Sequence, residues 1–160
     1  MKGNDDVISI LNDVLSAELT GVNQYFIHAK MAENWGYHKL AAHSRQESVE
    51  EMQHADQIIQ RILYLEGAPN MQRYMKINVG PTVPEQHSFD LGLEKDAVER
   101  LNRGVDLCRE KGDNGSRALL EKILQDEEEH VDWLEAQSDM IELIGLDNYL
   151  AQQIGEQPAG

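Results

Sequence analysis

Two Glu-x-x-His pairs, Glu51/His54 and Glu127/His130, each follow a further glutamate by 33 residues: Glu18 in the first case, Glu94 in the second. The second constellation is the first displaced by 76 residues along the chain. On a helix, residues three apart share a face, so each pair points a carboxylate and an imidazole the same way. Buried together, four carboxylates would repel one another unless cations neutralised them. Two divalent cations balance the four charges, and neutral imidazole nitrogens complete the coordination. This oxygen-rich set suits iron or manganese and offers no thiolate to copper(I) or structural zinc, although zinc could still occupy it. Two adjacent ferrous ions can each give one electron to dioxygen, and carboxylates favour the harder ferric product. Glu51 and Glu127 are the natural bridging ligands, Glu18 and Glu94 the terminal ones. Tyr25 lies two turns from Glu18 on the same face, placed either to donate a hydrogen bond to the site or to pack in the core.

Such a site needs four helices, and the chain supplies their start and stop signals. Asn4, Asp5 or Asp6 caps a first helix over 5–34, which stops at Trp35-Gly36. A second runs from His38 to Glu66 and ends at Gly67 and Pro69. After a long connection over 67–83, Pro84 suits the first position of a third helix, which ends near Gly112. Asp113-Asn114-Gly115-Ser116 forms a turn and cap for a fourth helix closing at Gly145, and Asp147 caps a short fifth over 148–154. The first two helices approach 30 residues, roughly 45 Å at 1.5 Å per residue. Short links make helices one and two, and three and four, antiparallel neighbours, while the long link allows a crossover along the bundle. The expected fold is therefore all-α: an antiparallel four-helix bundle over about 5–145, a short C-terminal helix and a tail over 155–160, in one domain spanning 1–160.

The faces separate a metal site from ordinary surface ion pairs. Leu40, Ser44, Glu47, Glu51, His54, Ile58, Ile62 and Leu65 follow the 3/4 spacing of a core stripe, as do Leu120, Ile123, Glu127, His130, Leu134 and Ile141. Leu11, Glu18 and Tyr25 line the first helix; Leu91, Glu94, Val98 and Leu101 line the third. All six candidate ligands fall inside apolar stripes that contain no Lys or Arg, whereas surface pairs would occupy the opposite faces. His28, His38, His43 and His87 read as ordinary polar or partly buried residues. Trp35, Trp133 and the run Glu127-Glu128-Glu129 read as structure, apart from Glu127 itself.

Composition narrows the function further. The net charge of −15 disfavours sequence-independent binding to nucleic acid and suits a protein that attracts cations. No run of eighteen apolar residues occurs, and the opening MKGNDDVISILNDV reads as neither a signal peptide nor a membrane anchor. The single cysteine, Cys108, allows no internal disulfide and fits a reducing cytoplasm.

The runs NQYFIHAKM, EEMQHADQIIQRILYLEGAPN, QDEEEHVDWLE and GLDNYLAQQI, with the opening MKG, resemble a bacterioferritin over essentially the whole chain. The resemblance implies a ferritin-like shell of 24 subunits, built from two-fold dimers, that oxidises Fe(II) with dioxygen or peroxide and stores ferric mineral. Glu18, Glu51, His54, Glu94, Glu127 and His130 occupy the family's ferroxidase ligand positions, two iron ions per subunit. It also implies haem b shared between two subunits with Met52 as axial ligand, assisting iron release, and a bacterioferritin-associated ferredoxin as electron donor. One step along a helix turns a side chain by about 100°, so Met52 points away from Glu51. It shares a second apolar stripe with Val49, Ile59 and Leu63; Leu19, Asn23 and Phe26 form a comparable stripe on the first helix. Two apolar faces need two partners, the subunit's own core and another subunit. Many relatives pair a histidine with an acid on the cavity wall at positions 46 and 50. Gln46 departs from that pattern and is a poor iron ligand, leaving Glu47 and Glu50 as anionic groups that could nucleate mineral.

The competing readings fit less well. A rubrerythrin-like di-iron peroxidase usually adds a Cys-x-x-Cys module that one cysteine cannot supply. A haem carrier or structural shell would not need all six ligands. A DNA-protecting mini-ferritin often has a basic tail, whereas QQIGEQPAG contains no Lys or Arg.

Overall fold

Asn4 starts the first helix: its side-chain oxygen accepts the Asp6 and Val7 amides, two of the donors a helix start leaves free. The computed structural model, which describes residues 1–156, continues this helix (α1) over Asp5–Asn34. It is followed by α2 (His38–Tyr64), α3 (Val83–Glu110), α4 (Asn114–Ile144) and a short α5 (Leu146–Ala151). α1 packs chiefly on α2 and α3 on α4, with α1 also meeting α3. This all-α architecture, with its crossover between α2 and α3, is the one the sequence predicts. None of the described helices is long and apolar enough to cross a membrane.

Four boundaries differ from the sequence reading, each for a physical reason. α4 begins at Asn114, because Asp113 caps it by accepting the Ser116 amide, so Asn114, Gly115 and Ser116 are helical where a turn is expected. α2 stops at Tyr64 because Glu66, not Gly67, takes the left-handed conformation (φ 63°). The Glu66 and Gly67 amides then close back on the Leu63 and Ile62 carbonyls. Gly67 serves close packing instead, since a Cβ there would lie 2.8 Å from Ile8 Cγ2. α3 begins at Val83, capped by Thr82 accepting the Glu85 amide, so Pro84 is its second residue. α5 spans Leu146–Ala151 in place of 148–154, and Asp147 lies in its first turn without capping it. Positive φ at Gly145 lets the helix restart at once. The carbonyls of Gln153 and Ile154 are drawn off to accept the Lys39 and His38 amides, which supplies the α2 start with partners that no side chain provides. Of the tail expected at 155–160, residues 157–160 lie outside the described residues.

The crossover is laid along α1 by a polar ladder at strict four-residue spacing. Asn12 bonds the Ala68 carbonyl and the Asn70 amide, and Ser16 accepts Arg73 Nε. Thr20 accepts the Met75 amide, Gln24 the Asn78 amide and His28 the Gly80 amide. Extended backbone cannot satisfy its own donors, so this stripe does so in place of water. The apolar core is consequently divided. One cluster, including Leu11, Leu15, Ile58, Leu101 and Ile123, fills one end, and Ala32, Leu40, Val83 and Tyr149 fill the other. Between them, buried polar residues of α1 and α3 interrupt the core. On α3 the buried line runs through His87, Asp90, Glu94, Ala97, Leu101, Gly104 and Cys108; Leu91 and Val98, predicted to share it, flank it half-buried.

α5 is fastened by Tyr149, whose hydroxyl donates to Gln137 Oε1 at 2.7 Å and lies 3.0 Å from His87 Nε2. Burial lowers the His87 pKa to about 4; Asp90 opposes this, while His43 and His28 add to it. The folded state thus binds this proton less readily than the unfolded chain does. Its contribution to stability is intact above about pH 6.5 and is lost as pH falls toward about 4, by up to about 3 kcal/mol. We expect wild-type protein to lose more stability than His87→Gln between about pH 7 and about pH 4.5, compared by urea unfolding. Equal losses would show that His87 is not the group responsible.

Candidate di-metal centre

All six sequence-predicted ligand residues converge in the polar gap of the core, each between 0% and 6% exposed. They form two groups that share Glu51 and Glu127: Glu18, Glu51, His54 and Glu127 in one, Glu51, Glu94, Glu127 and His130 in the other. Within each group, one donor atom per residue lies within 4.8 Å of the rest, close enough for a single cation. The sequence repeat reappears as geometry. His54 Nδ1 lies 3.3 Å from Glu18 Oε2, and His130 Nδ1 lies 3.3 Å from Glu94 Oε1. Both imidazoles therefore present Nδ1 to the carboxylates.

Their outer nitrogens meet a second pair of acids. His54 Nε2 is 2.9 Å from Asp126 Oδ2, and His130 Nε2 is 2.7 Å from Glu50 Oε2. Each acid immediately precedes the shared glutamate of one helix and holds the histidine of the other. Such a partner fixes the ring, so that the inner nitrogen can coordinate once a cation displaces its proton. Sequence reading missed this role, though the signal was present: the repeat extends one residue upstream, as Glu50-Glu51-x-x-His54 and Asp126-Glu127-x-x-His130. Glu47, on the core stripe as expected and named there as a possible nucleating anion, is buried with Oε2 2.6 Å from His130 Nε2.

The electrostatics call for cations. Burial, followed by the charges of Glu18, Glu127 and Glu94, raises the Glu51 pKa well above the usual carboxylate range. Burial and Glu127 do the same to Glu94. Burial alone would lower the histidine values, but at His54 it is overcome by the close carboxylates of Glu127 and Glu18, reaching about 11. At His130 the contacts with Glu47 and Glu94 carry it to about 12. No Lys or Arg pairs with the six among the described residues. Glu51 Oε1, Glu94 Oε2 and Glu127 Oε1 are buried without any hydrogen-bond donor. Orphaned buried carboxyl oxygens carry a desolvation penalty of about 1–3 kcal/mol each unless something else compensates them. Converging oxygens and imidazole nitrogens fit two metal ions.

Tyr25 is fully buried beside the site and donates to Glu94 Oε1 at 2.5 Å. Its pKa is raised well above 10 by burial first and by Glu94 next, so the phenol keeps its proton. Gly21 is a second feature the sequence reading did not single out. A Cβ there would sit 3.0 Å from Glu51 Oε2, so glycine leaves room for the shared carboxylate.

Met52 lies on the opposite side of α2, 51% exposed. With Val22, Asn23, Ile59, Met71 and Tyr74 it lines a groove of about 540 Å³, a separate place from the buried carboxylates. Phe26, Val49 and Leu63 are also exposed, as the second-stripe reading predicts, but Leu19 is buried in the core and only floors the groove. Of the four histidines set aside, His28 is completely buried in the ladder, His87 is bound to Tyr149, and His43 stacks on Trp133 with ring centroids 3.5 Å apart.

Comparison with known proteins agrees with this arrangement. A ferritin-like domain profile matches residues 8–144. The chain is 49% identical over 158 residues to a bacterioferritin of Mycobacterium tuberculosis, covering 99% of both chains. It is 45% identical over 163 residues to a bacterioferritin of Streptomyces coelicolor, covering 100% of this chain and 98% of the relative. Against a bacterioferritin of Brucella melitensis it is 42% identical over 159 residues, covering 99% and 98%. With its duplicated Glu and Glu-x-x-His constellation intact in the bundle core, the chain belongs to the bacterioferritin family.

Proposed function

We propose that this protein stores iron as a ferroxidase, oxidising Fe(II) with dioxygen or peroxide and depositing ferric mineral inside a homo-oligomeric shell of 24 subunits. The observation that carries this reading is the set of three buried, donorless carboxylate oxygens facing two imidazole nitrogens already oriented by outer acids. Glu18 and His54 would hold one iron, Glu94 and His130 the other, with Glu51 and Glu127 between them. Two ferrous ions so held would supply one electron each to the oxidant. The protein's own residues bind the ions, exclude bulk water, and keep Nδ1 of each histidine aimed inward. Tyr25 steadies Glu94.

Haem b is proposed on the exposed Met52 face, shared with a second copy across a two-fold axis. Met52 and its apolar neighbours suit a large flat ligand. The haem would pass electrons inward for iron release, from a bacterioferritin-associated ferredoxin. A cytoplasmic setting and a single ferritin-like domain complete the reading.

Adding a large aerobic excess of Fe(II) to apo protein tests the storage claim, through the soluble iron retained per chain. We expect tens of ions or more, far above the two that one such site can hold. Retention near two would favour a rubrerythrin-like peroxidase that does not mineralise, and none would remove the metal reading.

A further inference from the structure

The repeat that builds the metal centre makes its two halves comparable, and they are not alike. Displacing a residue by 76 positions carries Glu18 to Glu94, Glu51 to Glu127 and His54 to His130. It also carries Tyr25 to Leu101, so Glu94 receives a phenol hydrogen bond while the counterpart position, which would face Glu18, is apolar. One turn before Glu94 on α3 lies Asp90, buried to 3% exposure. Its Oδ1 accepts Gln24 Nε2 at 2.8 Å and lies 2.9 Å from His28 Nδ1. His28 Nε2 accepts the Gly80 amide, so the proton of this imidazole sits on Nδ1 and is donated to Asp90. Asn78 meanwhile donates to Gln24 Oε1. The counterparts of Asp90, Gln24 and His28 are Val14, Arg100 and Gly104. Val14 belongs to the apolar core, and a Cβ on Gly104 would lie 2.8 Å from a methyl of Leu120. Among the described residues no equivalent clasp backs Glu18.

Four described side-chain hydrogen bonds join α1 and α3: Gln24 to Asp90, His28 to Asp90, Tyr25 to Glu94, and a long one from Gln86 to the Met31 sulfur at 3.7 Å. Two of the four converge on Asp90. Without it, the hydroxyl of Tyr25 would be the remaining short polar tie fixing the register of α1 against α3, and hence where Glu94 stands. Removing the carboxylate would also leave two buried donors unpaired, which penalises the present packing of the turn that carries Glu94.

We propose that Asp90 is a positioning residue for one half of the metal centre. With Gln24 and His28 it holds α3 against α1 and the crossover, so that Glu94 stands ready for the cation shared with His130, while Glu18 depends on its own helix and His54. This rests on the di-metal reading above. The two metal positions should therefore respond differently when the clasp is cut.

Co(II) tests this without any turnover, because its visible absorption reports the number and geometry of bound ions. Wild-type apo protein should take up two Co(II) per chain. In Asp90→Ala one site should weaken by roughly tenfold or more while the other keeps its affinity, in the range seen when groups supporting a ligand are removed. Asp90→Asn should restore both, since its amide oxygen can still accept from Gln24 and His28. Unchanged affinities in Asp90→Ala, or equal weakening of both sites, would overturn the proposal; a merely structural role would lower thermal stability without separating the sites. If Asp90→Ala does not fold, Gln24→Leu makes the same test, with a smaller weakening expected at the same single site and equal or absent effects counting against the proposal. Uptake of fewer than two Co(II) by wild-type protein would instead strike at the di-metal reading itself, and at this inference with it.

Discussion

Glu51→Ala should abolish rapid Fe(II) oxidation, lowering the initial rate by more than roughly a hundredfold, while the shell still assembles and Met52 still binds haem. The magnitude follows from sharing. Glu51 belongs to both four-residue groups, so its loss strips a donor from each cation position at once. Losing a group that merely supports a ligand already costs 10- to 100-fold in many metal sites, and losing a shared ligand should exceed that. The apo fold should not suffer. Glu51 is buried among three other carboxylates, its Oε1 has no hydrogen-bond donor, and its raised pKa records how unfavourable its charge is there. Removing it relieves repulsion while opening only a small space beside Gly21. We therefore expect apo Glu51→Ala to unfold at or above the wild-type temperature, a combination that an ordinary core residue would not give. Stopped-flow absorbance after mixing with aerobic Fe(II), together with thermal melts, would check both halves. A variant that oxidises Fe(II) at the wild-type rate would remove Glu51 from the site.

Met52→Leu should do the reverse, losing the bound haem while retaining Fe(II) oxidation. The thioether is the one feature leucine lacks, because the two side chains are close in volume and packing should change by less than about 1.5 kcal/mol. Met52 is half exposed on a groove separate from the carboxylates, so nothing in the buried site depends on it. A single subunit offers only half the surroundings of such a ligand, and symmetric ligation requires a second copy. The haem absorbance of protein reconstituted with excess haem would decide the matter: full retention in Met52→Leu would show the axial assignment to be wrong. Performed together, the two variants would separate the two proposed functions, assigned to opposite faces of one helix one residue apart in sequence.

The pairing of outer acids shows why some of the centre escaped sequence reading. Asp126 and Glu50 follow the same 76-residue displacement as the residues they support, but each serves the histidine of the other helix. Adjacency in sequence suggests a partner on the same helix; only the antiparallel packing of α2 and α4 shows the exchange. Glu47 was only partly read for the same reason. Its place on the core stripe of α2 is legible, but the nitrogen it meets comes from α4. The polar ladder of Asn12, Ser16, Thr20, Gln24 and His28 has a perfectly regular spacing in sequence. It went unread because a polar stripe four residues apart looks like a solvated face until a chain segment lies on it.

The sequence by itself determined the helices, their order and the six converging residues, because these depend on short-range rules. Helical periodicity sets which residues share a face, caps and glycines set where helices end, and charge balance sets how many cations four carboxylates require. The same rules failed within a few residues of helix ends, where remote partners decided the outcome, as the Lys39 and His38 amides do for the end of α5 by drawing off the carbonyls of Gln153 and Ile154. Only the tertiary structure decided which histidine nitrogen faces inward, which acids stand behind it, and that one half of a duplicated site is clasped through Asp90 while the other rests on apolar core. Those features depend on side chains from two or three different elements meeting within about 3 Å, a distance set by packing and carried by no single stretch of chain.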